Sequence, residues 1–291
     1  MVRKLRPFFL GNTVEKRNIF CYYVEKITVF NKAGACMEKT YFLPLGKLNI
    51  PCILSVPDSG QVRRLVLGVH GICGSKNDPI QAAIAEEMEM FYSATLRFDF
   101  PLHGDSNAAE EDLNLQNCRD SLLTAAAHLR ELFPQVEDLC IFASGFGAYM
   151  TLLCLEELQA MGGSIRLVLQ TPAILMHMTM LKMKGLTRET FRAMDKVFFR
   201  DMPVRFSFYE EIRSNIVFAA YPVPMLLLHS EDDQFIPIDH IRQFHEVNEA
   251  SALVLLPGGN HQFEEDGAWD MVLDLTRDWF EFQQVYLSDY E

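Results

Sequence analysis

From residue 57 onward the chain alternates short, continuous apolar runs with longer segments of helical periodicity. The runs fall at 65–69, 94–98, 139–142, 167–169, 225–228 and 253–256. Helical patterns lie between several of them, at 79–92, 114–133, 146–161 and 238–248, and a last one is expected over 268–285. A strand that is apolar on every residue must be covered on both faces, and a helix between two such strands is the crossover of a parallel pair. The pattern therefore predicts an α/β fold, a mostly parallel central sheet with helices on both faces. Segments 21–30 and 39–56, rich in aromatic and β-branched residues and broken by Pro44, Gly46 and Pro51, predict further strands ahead of it. Ligands on such sheets bind beyond the carboxyl ends of the strands, so chemistry-bearing residues should follow each run directly.

One interval breaks the alternation. Segment 172–224 shows no clear strand and is rich in Met and Phe, including Met176, Met178, Met180, Met183, Phe198 and Phe199. A structureless loop of that length is improbable inside a compact domain, so a helical insertion over the strand ends is expected. The division that follows is a core of 1–171 and 225–291 with a lid at 172–224. The Met and Phe residues can form the insertion's own small core, line an adaptable hydrophobic pocket, or do both.

The 291 residues are 49% apolar, enough for a large interior, and carry a formal charge of −13. That charge argues against nucleic acid, whose phosphates need a basic surface. It fits a small neutral or hydrophobic molecule as partner. The seven cysteines include no CxxC pair, which reads as reduced thiols rather than a disulfide framework or zinc site. No His, Asp and Glu cluster has metal-ligand spacing, and neither metal nor cofactor is expected. Residues 1–11 lack the apolar stretch of a signal peptide, and no run is long enough to span a membrane. A cytoplasmic protein with no membrane partner is the expectation.

The strand ends carry the chemistry. Run 65–69 leads into His70-Gly71-Ile72-Cys73-Gly74, and run 94–98 into Asp99-Phe100-Pro101-Leu102-His103-Gly104-Asp105-Ser106. Run 139–142 continues as Ala143-Ser144-Gly145-Phe146-Gly147 straight into a helical pattern. Run 225–228 ends in His229-Ser230-Glu231-Asp232-Asp233-Gln234-Phe235-Ile236-Pro237, and run 253–256 in Pro257-Gly258-Gly259-Asn260-His261-Gln262-Phe263.

In order and position these segments resemble the landmarks of the α/β-hydrolases, over nearly the whole chain from about Leu65. Within that superfamily the chain looks most like the bacterial feruloyl/cinnamoyl esterases and serine-aminopeptidase-like enzymes, which share the His-Gly loop and a lid after the sixth strand. The resemblance implies an oxyanion loop at His70, Gly71, Ile72 and Cys73. The N–H groups of Ile72 and Phe146 would form the oxyanion hole, with His70, Gly71 and Cys73 beside the substrate. It implies Asp233, with Asp232 as the adjacent alternative, orienting His261 as general base. Arg97 and Asp99 match a segment that holds its loop through hydrogen bonds, with Leu102 where the family has a glycine.

The nucleophile elbow reads small-x-nucleophile-x-small, which places Ala143 and Gly147 at the small positions and Gly145 at the nucleophile. Making Ser144 the nucleophile would put Phe146 where the turn needs a small residue. A glycine sits comfortably in the left-handed elbow conformation, so the fold survives, but the covalent chemistry has no hydroxyl. Losing the serine of a comparable triad costs roughly 10⁶ in kcat and leaves roughly 10³–10⁴ over water. Two readings stay open. One is an acyl-ester hydrolase with atypical or impaired catalysis, using water or, as weaker substitutes, Ser144 or Cys73. The other is a non-catalytic relative that binds a small hydrophobic or aromatic acyl ligand under the lid.

Overall fold

The computed structural model describes residues 28–30, 37–256, 260, 261, 263 and 267–283. The N-terminal 1–11 segment, Cys21, Cys36, the Gly258-Gly259 pair and the last two residues of the expected 268–285 helix lie outside them.

The described residues open with β1 (Thr28–Phe30), β2 (Met37–Leu45) and β3 (Leu48–Val56), which pair antiparallel in sequence. The six apolar runs are strands: β4 (Arg64–Val69), β5 (Ser93–Phe98), β6 (Leu139–Ser144), β7 (Ile165–Gln170), β10 (Met225–Ser230) and β11 (Ser251–Leu256). Among the described residues they join one sheet in the order β1-β2-β3-β5-β4-β6-β7-β10-β11. All pairs from β5 to β11 are parallel, and β3 meets β5 antiparallel. The helices on this sheet are α1 (Pro79–Met90), α2 (Leu115–Leu132), α3 (Phe146–Leu153), α4 (Leu155–Ala160), α8 (Ile238–Glu246) and α9 (Ala268–Phe282).

Alternate residues of each strand feed two separate cores. Val66, Cys140, Phe142, Val168, Leu226 and Leu228 pack with Ile84 and Met88 of α1 and with Val272, Leu275 and Phe280 of α9. The residues between them, such as Leu67, Ile141, Leu169 and Leu227, pack with α2, α3 and α8 on the other face. Burying a Leu or Phe fully contributes about 1.5–3 kcal/mol, which explains why the strands read as unbroken apolar runs. Cys52, Cys118, Cys140 and Cys154 are buried in these layers as free thiols.

Two expectations need correction. The pattern at 146–161 is two helices rather than one, because Cys154 leaves helical geometry at φ −99° and ψ 6°. The segment between β7 and β10 is not purely helical. It holds α5 (Met176–Lys184), α6 (Arg188–Met194), the antiparallel hairpin β8 (Lys196–Phe199) and β9 (Met202–Arg205), then α7 (Phe206–Ser214). Met176, Met180, Phe191, Phe199 and Phe208 are buried there, whereas Met178 and Phe198 point to solvent and Met183 is partly covered. Most of the Met and Phe residues thus serve packing.

Candidate active site

The parallel register brings the carboxyl ends of β4, β6, β7, β10 and β11 to one edge of the sheet. Gly145 follows β6 there with φ 49° and ψ −109°, the sharp strand-to-helix turn of an elbow. Its neighbours hold it: Gly145 N–H donates to Gln170 O at 3.0 Å, and Gly145 O accepts from Tyr149 N–H and Ala173 N–H, both at 3.2 Å. A Cβ on Gly147 would run into the carbonyls of Val69 and His70, so that position admits only glycine. Among the described residues, a Cβ on Gly145 would meet nothing nearer than Gly71 Cα at 4.0 Å. Position 145 therefore faces open space beside the His70-Gly71 loop, in the frame read from the sequence.

Ser144 is turned away from that space. Its hydroxyl donates to Gln170 Oε1 at 3.1 Å, and nothing in the sequence marked Gln170 as its partner. Phe146 starts α3 with its ring buried against Phe100 and Phe208, centroids 5.4 and 6.0 Å away. Neither the Phe146 N–H nor the Ile72 N–H has an acceptor among the described residues. Two free N–H groups flanking an elbow are what an oxyanion requires.

His70, expected beside the substrate, is instead a structural residue. It is buried, its Nδ1–H donates to Gly71 O at 2.7 Å, and its Nε2 accepts from Phe100 N–H at 3.1 Å. With both nitrogens engaged it fixes the loop and has no ring nitrogen left to hydrogen-bond a ligand. Burial and the neighbouring His103 hold its pKa well below the ordinary value. Cys73, with φ 61°, donates its thiol hydrogen to Phe199 O at 3.1 Å and so ties the loop to the hairpin. Burial pushes that thiol up to about 11, against the pull of Arg200 and Lys184, so it is a poor nucleophile near neutral pH.

The loop rests on a buried ion pair that the sequence did not reveal. Lys76 Nζ contacts Asp99 Oδ2 at 2.7 Å and Asp105 at 2.6 Å, while Lys76 N–H donates to Asp99 Oδ1 at 2.7 Å. The Lys76 and Asp99 side chains are 1% and 0% exposed. Arg97 donates to Lys76 O and to Glu38, so Arg97 and Asp99 hold their loops as expected. Leu102 adopts φ 65° where the resembled family has glycine.

Across the strand ends, His261 Nδ1 lies 2.7 Å from Asp233 Oδ2. The other carboxylate oxygen accepts from Phe235 N–H and Ile236 N–H at 2.7 and 2.9 Å. Burial pushes the Asp233 carboxyl up, but His261 and these N–H groups outweigh it and hold it below its ordinary value. A carboxylate at Nδ1 places the proton there and leaves Nε2 as the basic nitrogen. The His261 ring stands edge-on to Phe235, centroids 5.3 Å apart. Asp232, the alternative, donates its backbone N–H to Ser230 Oγ at 3.1 Å.

One surface hollow, of about 410 Å³, lies among Arg119, Leu152 and Glu156, at the end of α3 remote from the elbow. A second of about 350 Å³ adjoins the His70-Gly71 loop at Cys73 and Gly74. Among the described residues there is no His, Cys, Asp and Glu group able to hold a metal, and no helix long and apolar enough to cross a membrane.

No family model and no curated protein matches the sequence. Solved structures do match. Est1E from Butyrivibrio proteoclasticus, with ferulic acid bound, aligns at a TM-score of 0.70 and 18% identity over 82% of this chain and 96% of its own. Alpha/beta hydrolase domain-containing protein 10 from mouse aligns at 0.62 and 14% identity over 89% and 100%. An esterase of Pyrococcus furiosus gives 0.60 and 16% over 84% and 93%. Strand order, crossovers and these superpositions define the class: the chain has the α/β-hydrolase fold.

Proposed function

We propose that this protein is a carboxylic-ester hydrolase that works without a covalent acyl-enzyme, with segment 172–224 as its lid. The observation that carries the reading is the His261–Asp233 pair at 2.7 Å, kept with a glycine elbow whose nucleophile position opens into free space. A water molecule placed at that position would lose a proton to His261 Nε2 as its oxygen attacks the ester carbonyl. The carbonyl electrons move onto oxygen, which the Ile72 and Phe146 N–H groups stabilise. Collapse of the intermediate breaks the bond to the alcohol oxygen, and the imidazolium returns the proton to it. Asp233 fixes the tautomer and offsets the transient charge. The hole and binding alone give a rate roughly 10³–10⁴ above water, and His261 as general base adds roughly 10²–10⁴, the part that His261→Ala would remove; the total stays slow beside serine esterases.

A second reading, ligand binding without turnover, is favoured by the commitment of both substitute nucleophiles: Ser144 bonds Gln170 and Cys73 bonds Phe199. Hydrolysis of acetyl, butyryl and feruloyl esters by the protein and by His261→Ala separates the two. Turnover lost in the variant supports the dyad as catalyst. Equal background rates in both would leave binding as the function.

A further inference from the structure

β10 runs Met225-Leu226-Leu227-Leu228 and then places a histidine, His229, in its apolar series. The side chain is 0% exposed, and the mechanism above does not use it. An imidazole buried among apolar residues is costly unless it is hydrogen-bonded. Its Nε2 lies 3.1 Å from Ile236 O, and a carbonyl only accepts, so the proton sits on Nε2. Nδ1 is then a bare acceptor, buried and without a hydrogen-bond partner among the described residues. Burial holds the His229 pKa below its ordinary value, against the pull of Asp233 and the Ile236 carbonyl, which keeps the ring neutral. A leucine here would bury no unpartnered nitrogen, so packing alone does not call for histidine.

What the His229 bond does is close the loop that carries Asp233. Ile236 is grasped at both ends: its carbonyl accepts from His229, and its N–H donates to Asp233 Oδ1 at 2.9 Å. The Phe235 N–H donates to the same oxygen at 2.7 Å, and the Phe235 ring stands edge-on to His261 with centroids 5.3 Å apart. The other carboxylate oxygen, Asp233 Oδ2, meets His261 Nδ1 at 2.7 Å. Two contacts of the His261 ring, the carboxylate and the Phe235 edge, therefore stem from one turn, 233–236, and β10 holds the far end of that turn through a single side chain.

We propose that His229 is the positioning residue of the Asp233–His261 pair: by holding the Ile236 carbonyl it sets where the Asp233 carboxylate and the Phe235 ring meet His261. It deepens the ester-hydrolase reading, and it rests on that reading only for the pair's being catalytic. A general base must stand within hydrogen-bond reach of the proton it takes, and a misplacement of about 1 Å can cost roughly 10² in rate. His229 acts on this geometry through the turn, since its own hydrogen bond goes to Ile236 and not to either member of the pair.

The test reads the His261 Nδ1 proton, not turnover, by NMR on the full chain labelled with nitrogen-15. His229→Leu removes the donor, and His229→Gln keeps one, because its amide nitrogen stands about where the imidazole Nε2 stands. In His229→Leu the His261 Nδ1 proton is expected to shift upfield and to exchange with water about fivefold faster, the worth of one neutral hydrogen bond, while the β10 amides exchange as in the parent. His229→Gln should restore the parent resonance. An unmoved His261 proton in the Leu variant, a Gln variant that fails to restore it, or an equal acceleration of the β10 amides would each overturn the proposal, the last by reducing the effect to stability. The unaltered protein decides even if no variant folds: His229 should carry its proton on Nε2, and a proton on Nδ1 would overturn the proposal. Absence of ester hydrolysis would leave these readings standing, and hydrolysis that depends on His261 would survive their failure.

Discussion

Gly145→Ser would return a hydroxyl to the elbow at small structural cost. Among the described residues the added Cβ meets only Gly71 Cα, at 4.0 Å, which is ordinary contact. The remaining cost is conformational, because serine would have to accept φ 49° and ψ −109°. Such strain is worth about 1–3 kcal/mol, or roughly 2–5 °C in Tm for a chain of 291 residues. The gain is much larger. Since a triad serine is worth roughly 10⁶ in kcat, recovery of even one part in a thousand would raise hydrolysis about a thousandfold. The assay pairs kcat/KM on a butyryl ester with mass spectrometry after an organophosphonate probe. The variant should gain one covalent adduct at residue 145 and lose its rate gain when His261→Ala is added. A folded variant within that Tm range that shows neither adduct nor rate gain would refute the disposition of Ile72, Phe146 and His261 around position 145.

Lys76→Met would leave Asp99 charged and buried without its partner, and a loss of about 3–5 kcal/mol in urea unfolding is expected; a loss under 1 kcal/mol would show the pair to be dispensable. Gly147→Ala should cost at least about 2 kcal/mol, because its methyl meets the Val69 and His70 carbonyls and backbone must shift; thermal melts equal to the parent would contradict that packing. Asp233, held below its ordinary 3.8, stabilises the fold fully above that value and loses the contribution as pH falls through its depressed folded pKa. Asp233→Asn should therefore flatten the stability profile on the acid side of about pH 3.8 while lowering stability at pH 7, and parallel profiles for the two proteins would sink the assignment.

The sheet was legible because its strands are buried on both faces, so residues 65–69 and 139–142 carry no polar interruption to hide them. The elbow frame came from the resemblance to the family's small-x-nucleophile-x-small pattern, and the structure adds the steric reason for Gly147, whose Cβ would meet the Val69 carbonyl. The β8–β9 hairpin escaped notice although its residues do alternate, with Val197, Phe199, Met202 and Val204 buried. Pro203 argued against a strand, and the turn uses Arg200 at φ 50° instead of a glycine. The break at Cys154 has no Gly or Pro to announce it. Lys76 was opaque for a different reason. A charged or titratable side chain is presumed solvated until its partners are known, and those of Lys76 lie 23 and 29 residues away.

The elbow's left-handed turn has a consequence for how this protein can change. Glycine does not require such a backbone, so the conformation is imposed by the bonds to Gln170, Tyr149 and Ala173 and by the close fit of Gly147. A glycine codon and a serine codon can differ by a single base, so the chain stands one mutational step from a serine in a turn already bent to receive it. A hydroxyl could then be gained at this turn, or lost again, without rebuilding the scaffold around it.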